Sequence, residues 1–185
     1  MPGPVFLSGE RVSLRPPGES DVAFLQHHHN DPGIRQLMPR VYPQSIDAIR
    51  EEYVEGDDEA VRLLACSGDD ADADRLGFCS LSDVDQDMGR AEVDVWFAQD
   101  VQGLGFAAEA LELLIEYAFD ELRLHRLEAA TTGTNDRSQA LFDRLAFVEE
   151  GRRRDYYYLG GDYVDRVEYG LLEPEWREGD PDDPK

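Results

Sequence analysis

The stretch "AQDVQGLGFAAEALELLIEYAF", residues 98–119, places two glycines directly before an unbroken helical pattern. A helix N-terminus leaves its first backbone N–H groups without partners and carries a partial positive charge. A phosphate meets both needs. Glycine lets a backbone approach a ligand with no side chain in between, and Ala107 and Ala108 keep the first turn small. Gln102-Gly103-Leu104-Gly105-Phe106-Ala107 therefore reads as a strand–loop–helix phosphate cradle, with a merely tight strand–helix turn as the alternative. It is no Walker loop, because no Gly-Lys-Ser/Thr follows. It is no dinucleotide fingerprint either, because a third glycine and a repeated βαβ frame are both missing.

The elements that must position this loop follow from apolar spacing. "ERVSLRPPG" (10–18) alternates and stops at two prolines, which predicts a strand and a turn. The next stretch predicts a helix capped by Ser20, with Val22, Phe24 and Leu25 on its apolar face, ended by Asn30-Asp31-Pro32-Gly33. A second helix follows Ser45, with Ile46, Ile49 and Tyr53 near helical spacing. "AVRLLACSG" and "LGFCSLSDV" predict strands joined by an acidic loop. In "RAEVDVWFA" (90–98), Val93, Val95 and Phe97 alternate with Glu92, Asp94 and Trp96. Another strand, "HRLEAATTGTN", precedes a short helix whose Ala140, Leu141 and Leu145 share a face. Two last strands form a hairpin at Gly160-Gly161-Asp162. The result is one mixed α/β domain without the repeated alternation of a doubly wound fold. It spans residues 1–176, with 177–185 as an acidic flexible tail.

The chain has 185 residues, no apolar run long enough for a bilayer, and no charged and apolar leader at its start. That predicts a cytoplasmic protein with no membrane partner. Cys66 and Cys79 could be neighbours, but two cysteines make no disulfide framework, and buried reduced thiols are the plain reading. The net charge is −23, and the only lysine is Lys185. Nucleic acid is excluded as a partner, since phosphate backbones require basic patches. Dispersed acid with almost no lysine resembles proteins of extreme halophiles, where molar salt shortens the Debye length to about 3 Å. An ordinary acidic surface is the alternative. His27-His28-His29 is no metal site, because consecutive helix residues do not face each other. "RRRDYYY" (152–158) reads as a strand with mixed faces, lining a groove, forming a homodimer edge or simply packing, with Tyr156 to Tyr158 as candidate groove residues.

Gln102-x-x-Gly105-x-Ala107 resembles the Arg/Gln-x-x-Gly-x-Gly/Ala signature of the GNAT N-acetyltransferases. "GLGFAAEAL" and "LRLHRLEAATTGTNDRSQALFDRLAFVEEG" resemble stretches of the RimJ/RimL-like branch, the ribosomal-protein N-acetyltransferase type. "GERVSLRP" resembles its opening strand and "YGLLEPEW" its closing one, so the likeness covers almost the whole chain in order. It implies a single GNAT domain: a mixed, mostly antiparallel sheet with splayed strands, flanked by helices. It implies direct acetyl transfer from acetyl-CoA to an amine, either a protein N-terminus such as a ribosomal protein's or a small amine. A non-catalytic acyl-CoA-binding module is the alternative.

By this resemblance the backbone of Trp96, Phe97 and Ala98 pairs with the pantetheine arm. The N–H groups of Gln102, Gly103, Leu104, Gly105, Phe106 and Ala107 hold the pyrophosphate. Asn135 contacts the cofactor arm, and Ser138 lies near the sulfur as acid for the leaving thiolate, with a first-turn hydroxyl that caps its own helix as the plain alternative. Glu92 and Asp94 are the candidate bases, with solvated or salt-bridged carboxylates as the plain alternative. The sequence departs from the pattern in four places. Asp94 replaces a frequent glycine, which narrows the acceptor side. Leu104 replaces a common basic residue. Ala146 stands for the usual glycine before Phe147, and Phe142 lies where many members carry an acidic tyrosine. A loop at 35–42 is expected to close the pocket if the acceptor is a small metabolite.

Overall fold

Alternating apolar residues build one eight-stranded sheet with two helical crossovers, one between adjacent parallel strands and one that leaves room for the last strand to insert ahead of its predecessor. The computed structural model describes residues 2–38, 42–56, 60–70 and 72–179. The strands are β1 (Leu7–Ser8), β2 (Val12–Arg15), β3 (Val61–Ser67), β4 (Arg75–Asp85), β5 (Arg90–Phe97), β6 (Arg126–Thr132), β7 (Val148–Leu159) and β8 (Asp162–Leu172). The helices are α1 (Val22–Asn30), α2 (Pro32–Arg35), α3 (Ile46–Tyr53), α4 (Phe106–Asp120), α5 (Asp136–Arg144) and α6 (Glu173–Gly179). The spatial order is β1-β2-β3-β4-β5-β6-β8-β7. All pairs are antiparallel except β5–β6, which α4 joins in parallel by carrying the chain back along the sheet.

Helices cover both faces, giving two buried clusters. On one face, Leu111, Leu114, Ile115 and Ala118 of α4 pack fully buried on Val12, Leu63, Leu81 and Val93. On the other, Leu25 of α1 and Ile49 and Tyr53 of α3 pack on Leu64, Phe78 and Trp96. The alternation in β5 is the cause of this division. Val93 and Phe97 face α4, while Trp96 enters the second cluster. Among the described residues no helix is long and apolar enough to cross a membrane.

Several local expectations change. Ser20 does not cap α1; a one-turn 3-10 segment, Glu19–Asp21, comes first. Its Asp21 is fully buried, held by Arg75 Nε at 2.7 Å and by the Gly18 N–H at 2.8 Å. The first long strand is only Val12–Arg15, and a short β1 precedes it. Asp31 ends α1 and then caps α2 by accepting from the Gly33 N–H at 2.8 Å. Cys66 and Cys79 are not neighbours but belong to opposite clusters, because the strand pleat sends them to different faces. Burial pushes their thiols up to about 11 and about 12, so both stay protonated at neutral pH. On α5 the buried apolar contact comes from Phe142, followed by Leu145, while Ala140 is exposed. Residues 177–179, expected in the tail, continue α6, where Arg177 binds Asp120 and Glu173. Residues 180–185 lie outside the described residues.

Ala146 ends α5 in the left-handed region, at φ 62°. That position follows the helix C-cap, where glycine is favoured because a Cβ is strained there. Ala146→Gly is expected to stabilise the protein by ~0.5–1 kcal/mol, the strain relieved less the extra unfolded-state entropy of glycine. Chemical denaturation at fixed salt measures it; an unchanged or lower midpoint refutes this account of the turn.

Candidate active site

The site begins where β5 and β6 part. They pair only at Arg90–Arg126, Ala91–Leu127 and Glu92–Glu128. Beyond Glu92, β5 stays in register with β4 as far as Phe97, and β6 stays with β8 as far as Thr132. A wedge therefore opens between them, bordered by strand edges without a ladder partner. Such edges are templates for an extended ligand.

The cradle lies at the end of β5. Gly103 and Gly105 adopt φ 78° and 87°, conformations that L side chains rarely accept. Gly105 is the N-cap of α4, and the first closing bond of the helix runs from the Glu109 N–H to the Gly105 carbonyl, at 3.3 Å. The N–H groups of Phe106, Ala107 and Ala108 therefore have no intrahelical acceptor. Glu109 ties this turn to β2. It accepts from the backbone N–H of Arg11 at 2.6 Å and of Val12 at 3.0 Å, and from Arg11 Nε at 3.0 Å. Burial pushes its carboxyl up, but these donors together hold it below the usual range.

Gln102 couples the cradle to its surroundings. Its amide nitrogen donates to the Phe97 carbonyl at 2.9 Å, and its amide oxygen accepts from Arg137 Nη1 at 2.6 Å. Beside it lies a cleft of about 390 Å³, lined by Trp96, Phe97, the cradle glycines, Phe106 and Ala107 on one side. Asn135, Ser138, Arg137 and Arg144 line the other side. Asn135 caps α5 by accepting from the Ser138 N–H at 3.2 Å. It also donates to Ser138 Oγ at 2.9 Å, which leaves the Ser138 proton free to be given elsewhere.

A smaller pocket of about 140 Å³ continues the wedge and shares Asn135, Ser138, Val95, Leu37 and Met38 with the cleft. Its walls carry Glu92, Asp94, Tyr157, Arg166 and Phe142. Glu92 is half-buried, with Arg166 Nη2 at 3.5 Å from its Oε1. Burial raises its carboxyl above the usual range, Asp94 adds to this, and Arg166 opposes it. Asp94 is exposed and accepts from Ser82 Oγ at 3.0 Å. Phe142 packs against Phe147 and Tyr169, each ring 5.3 Å away.

Residues 11–148 match the acetyltransferase (GNAT) domain model. The chain belongs to the GNAT acetyltransferase family. It is 36% identical over 138 residues to "Putative ribosomal N-acetyltransferase YdaF" of Bacillus subtilis (strain 168), covering 72% of this chain and 74% of that protein. It is 25% identical over 167 residues to spermidine N(1)-acetyltransferase of Vibrio cholerae, covering 90% and 95%. The crystal structure of a Vibrio cholerae spermidine N-acetyltransferase with CoA and spermine superposes with a TM-score of 0.82 at 24% identity, covering 91% of this chain and 99% of that one. GNAT enzymes use acetyl-CoA, and this GNAT chain is an acetyl-CoA-dependent N-acetyltransferase.

The residues present fit the coenzyme: a positive-φ glycine loop, open helix N–H groups and an apolar cleft run together. Ala98 and Leu104, expected to meet the coenzyme through their backbones, are not among the residues that line the cleft. The Ala98 N–H is taken by the Leu76 carbonyl at 2.9 Å, because β4 still pairs there. The Leu104 side chain is 57% exposed, and its carbonyl accepts from Arg11 Nη1 at 3.1 Å. Sequence reasoning missed Arg137 and Arg144, which lie on α5 and bring the cations that position 104 lacks. It also missed Arg166, whose place depends on strand register alone. Of the expected closing loop, Leu37 and Met38 line both spaces, and residues 39–41 lie outside the described residues. His28 packs on Phe24 and Trp96, and His29 on Tyr53. The described residues hold no cluster of His, Cys, Asp or Glu suited to a metal ion.

Arg137→Gln is expected to weaken acetyl-CoA binding about tenfold, the worth of roughly one charge-assisted hydrogen bond. Calorimetric titration at constant salt checks it; an unchanged affinity removes Arg137 from the cradle.

Proposed function

We propose that this GNAT enzyme acetylates a small primary amine received by the acid pocket. The observation that carries the reading is the common wall: the coenzyme cleft and the acid pocket meet at Asn135 and Ser138. The pocket is small, and Leu37 and Met38 line it. The name of the Vibrio cholerae relative supports a small amine. The name of the Bacillus subtilis relative favours a second reading, a protein N-terminus.

Acetyl-CoA supplies the activated thioester. Gly103 to Ala107 would hold its pyrophosphate with backbone N–H groups, Arg137 and Arg144 would add positive charge, and the free edge at Trp96 and Phe97 would align the arm. Glu92, with Asp94 beside it, attracts the ammonium and accepts its proton, leaving a neutral nucleophile. The new C–N bond forms as the C–S bond breaks. Ser138, held by Asn135, gives its proton to the departing sulfur and regains one from solvent. Initial rates of coenzyme thiol release with a panel of small amines and peptides test this reading. Peptides turned over and small amines refused would favour the second reading.

Glu92 works as a base only when ionised, so kcat/KM rises with pH through its titration. Burial and Asp94 move that limb above the ordinary glutamate value of about 4.3. Glu92→Gln is expected to remove the limb and to lower kcat by about 10²- to 10⁴-fold. A variant pH profile that overlays the wild-type one eliminates Glu92 as base.

We also infer from the −23 charge that the chain is built for concentrated salt. Its melting temperature is expected to fall as KCl is lowered from molar to about 0.1 M, because repulsion between carboxylates is then less screened. A melting temperature that does not depend on salt over this range refutes the inference.

A further inference from the structure

The acid pocket is not uniformly acid. Among the described residues, Arg166 of β8 is the one cation on its wall, beside Glu92 of β5. Its Nε donates to Glu168 Oε1 at 3.2 Å, its Nη1 to the Tyr157 hydroxyl at 2.8 Å, and its Nη2 approaches Glu92 Oε1 at 3.5 Å. The first two contacts pin the plane of the guanidinium. The third is long, and a guanidinium has N–H groups beyond these, so donors remain for a ligand. Glu168 offers no second anionic end to the pocket, since Arg153 also holds it at 2.9 Å.

We propose that Arg166 is the specificity-determining residue of the acceptor pocket. It excludes acceptors that bring a second cation, and it receives a carbonyl or carboxylate oxygen carried on the same molecule as the reacting amine. This rests on the acetyl-transfer reading of the pocket. A diamine needs an anionic group at each end. Here Arg166 stands only 3.5 Å from Glu92 and offsets one of the two carboxylates, so the wall keeps one net negative charge, enough for one ammonium and not for two. Arginine stays charged at every working pH, so no titration removes the barrier. An oxygen at the same place instead meets N–H donors in a fixed fork.

The test compares putrescine, its counterpart with one ammonium replaced by a carboxamide, and n-butylamine, by kcat/KM at one salt concentration. Wild type is expected to favour the amino amide over putrescine by about tenfold or more, the scale of one like-charge contact in a half-buried site. Arg166→Gln is expected to bring that ratio within about threefold by raising the putrescine rate. Arg166→Lys keeps the charge but loses the fork; it should still refuse putrescine while losing the preference for the amide over n-butylamine. If Arg166→Gln does not fold, the wild-type ratio and the lysine variant decide. The proposal is overturned if wild type acetylates putrescine as well as the amide, or if the ratio survives in Arg166→Gln. Refusal of every amine and peptide by protein that binds acetyl-CoA is a different result: it overturns the acetyl-transfer reading, and this inference with it.

Discussion

The rest of the molecule depends on a backbone constraint at the fork between β5 and β6. Peptide groups removed from water need hydrogen-bond partners. β5 satisfies one edge against β4 up to Phe97, and β6 satisfies one against β8 up to Thr132. Only three residues of each strand pair with the other. The remaining inner edges open onto the cleft and the acid pocket. They leave backbone groups on offer to an extended ligand, with the Phe97 carbonyl already accepting from Gln102.

Keeping the fork open requires bracing at its mouth, and polar side chains provide it. Gln102 bonds the last carbonyl of β5 and is itself held by Arg137 of α5. Asn135 and Ser138 lock the first turn of α5, while Glu109 anchors the first turn of α4 to β2. The Gln102 and Glu109 braces each join two elements, while the Asn135 brace closes the start of α5 on itself. Pre-set geometry of this kind reduces the cost of ordering the site when ligands bind.

Charge is distributed under a shortage of cations, 18 basic residues against 41 acidic ones. Arginine answers the shortage because its fork can serve more than one carboxylate. Arg50 joins Glu19 and Asp47, Arg126 joins Glu128 and Glu150, and Arg177 joins Asp120 and Glu173. Arg166 continues the pattern with Glu92 and Glu168, but on the wall of the acid pocket. The residue that offsets Glu92 is thus also part of the pocket wall.

The sequence by itself determined the glycine loop before a helix and the two-faced β5, and its motifs resemble those of the family. The first two depend on short-range rules: glycine's access to positive φ, the open N–H groups of a helix start, and the period of a strand. The family resemblance also marked Ala146 as out of pattern, and its left-handed φ of 62° after the helix C-cap supplies the reason. What tertiary structure decided was which distant residues share a wall. Arg137 reaches Gln102 from 35 positions away, and Arg166 reaches Glu92 from 74. Strand register and the crossover of α4 set those distances, and no local pattern encodes them. For the same reason the cysteines, similar in sequence surroundings, fell on opposite faces, and Ala98 lost its N–H to β4. Local pattern states what a residue can do; pairing across the sheet settles what it meets.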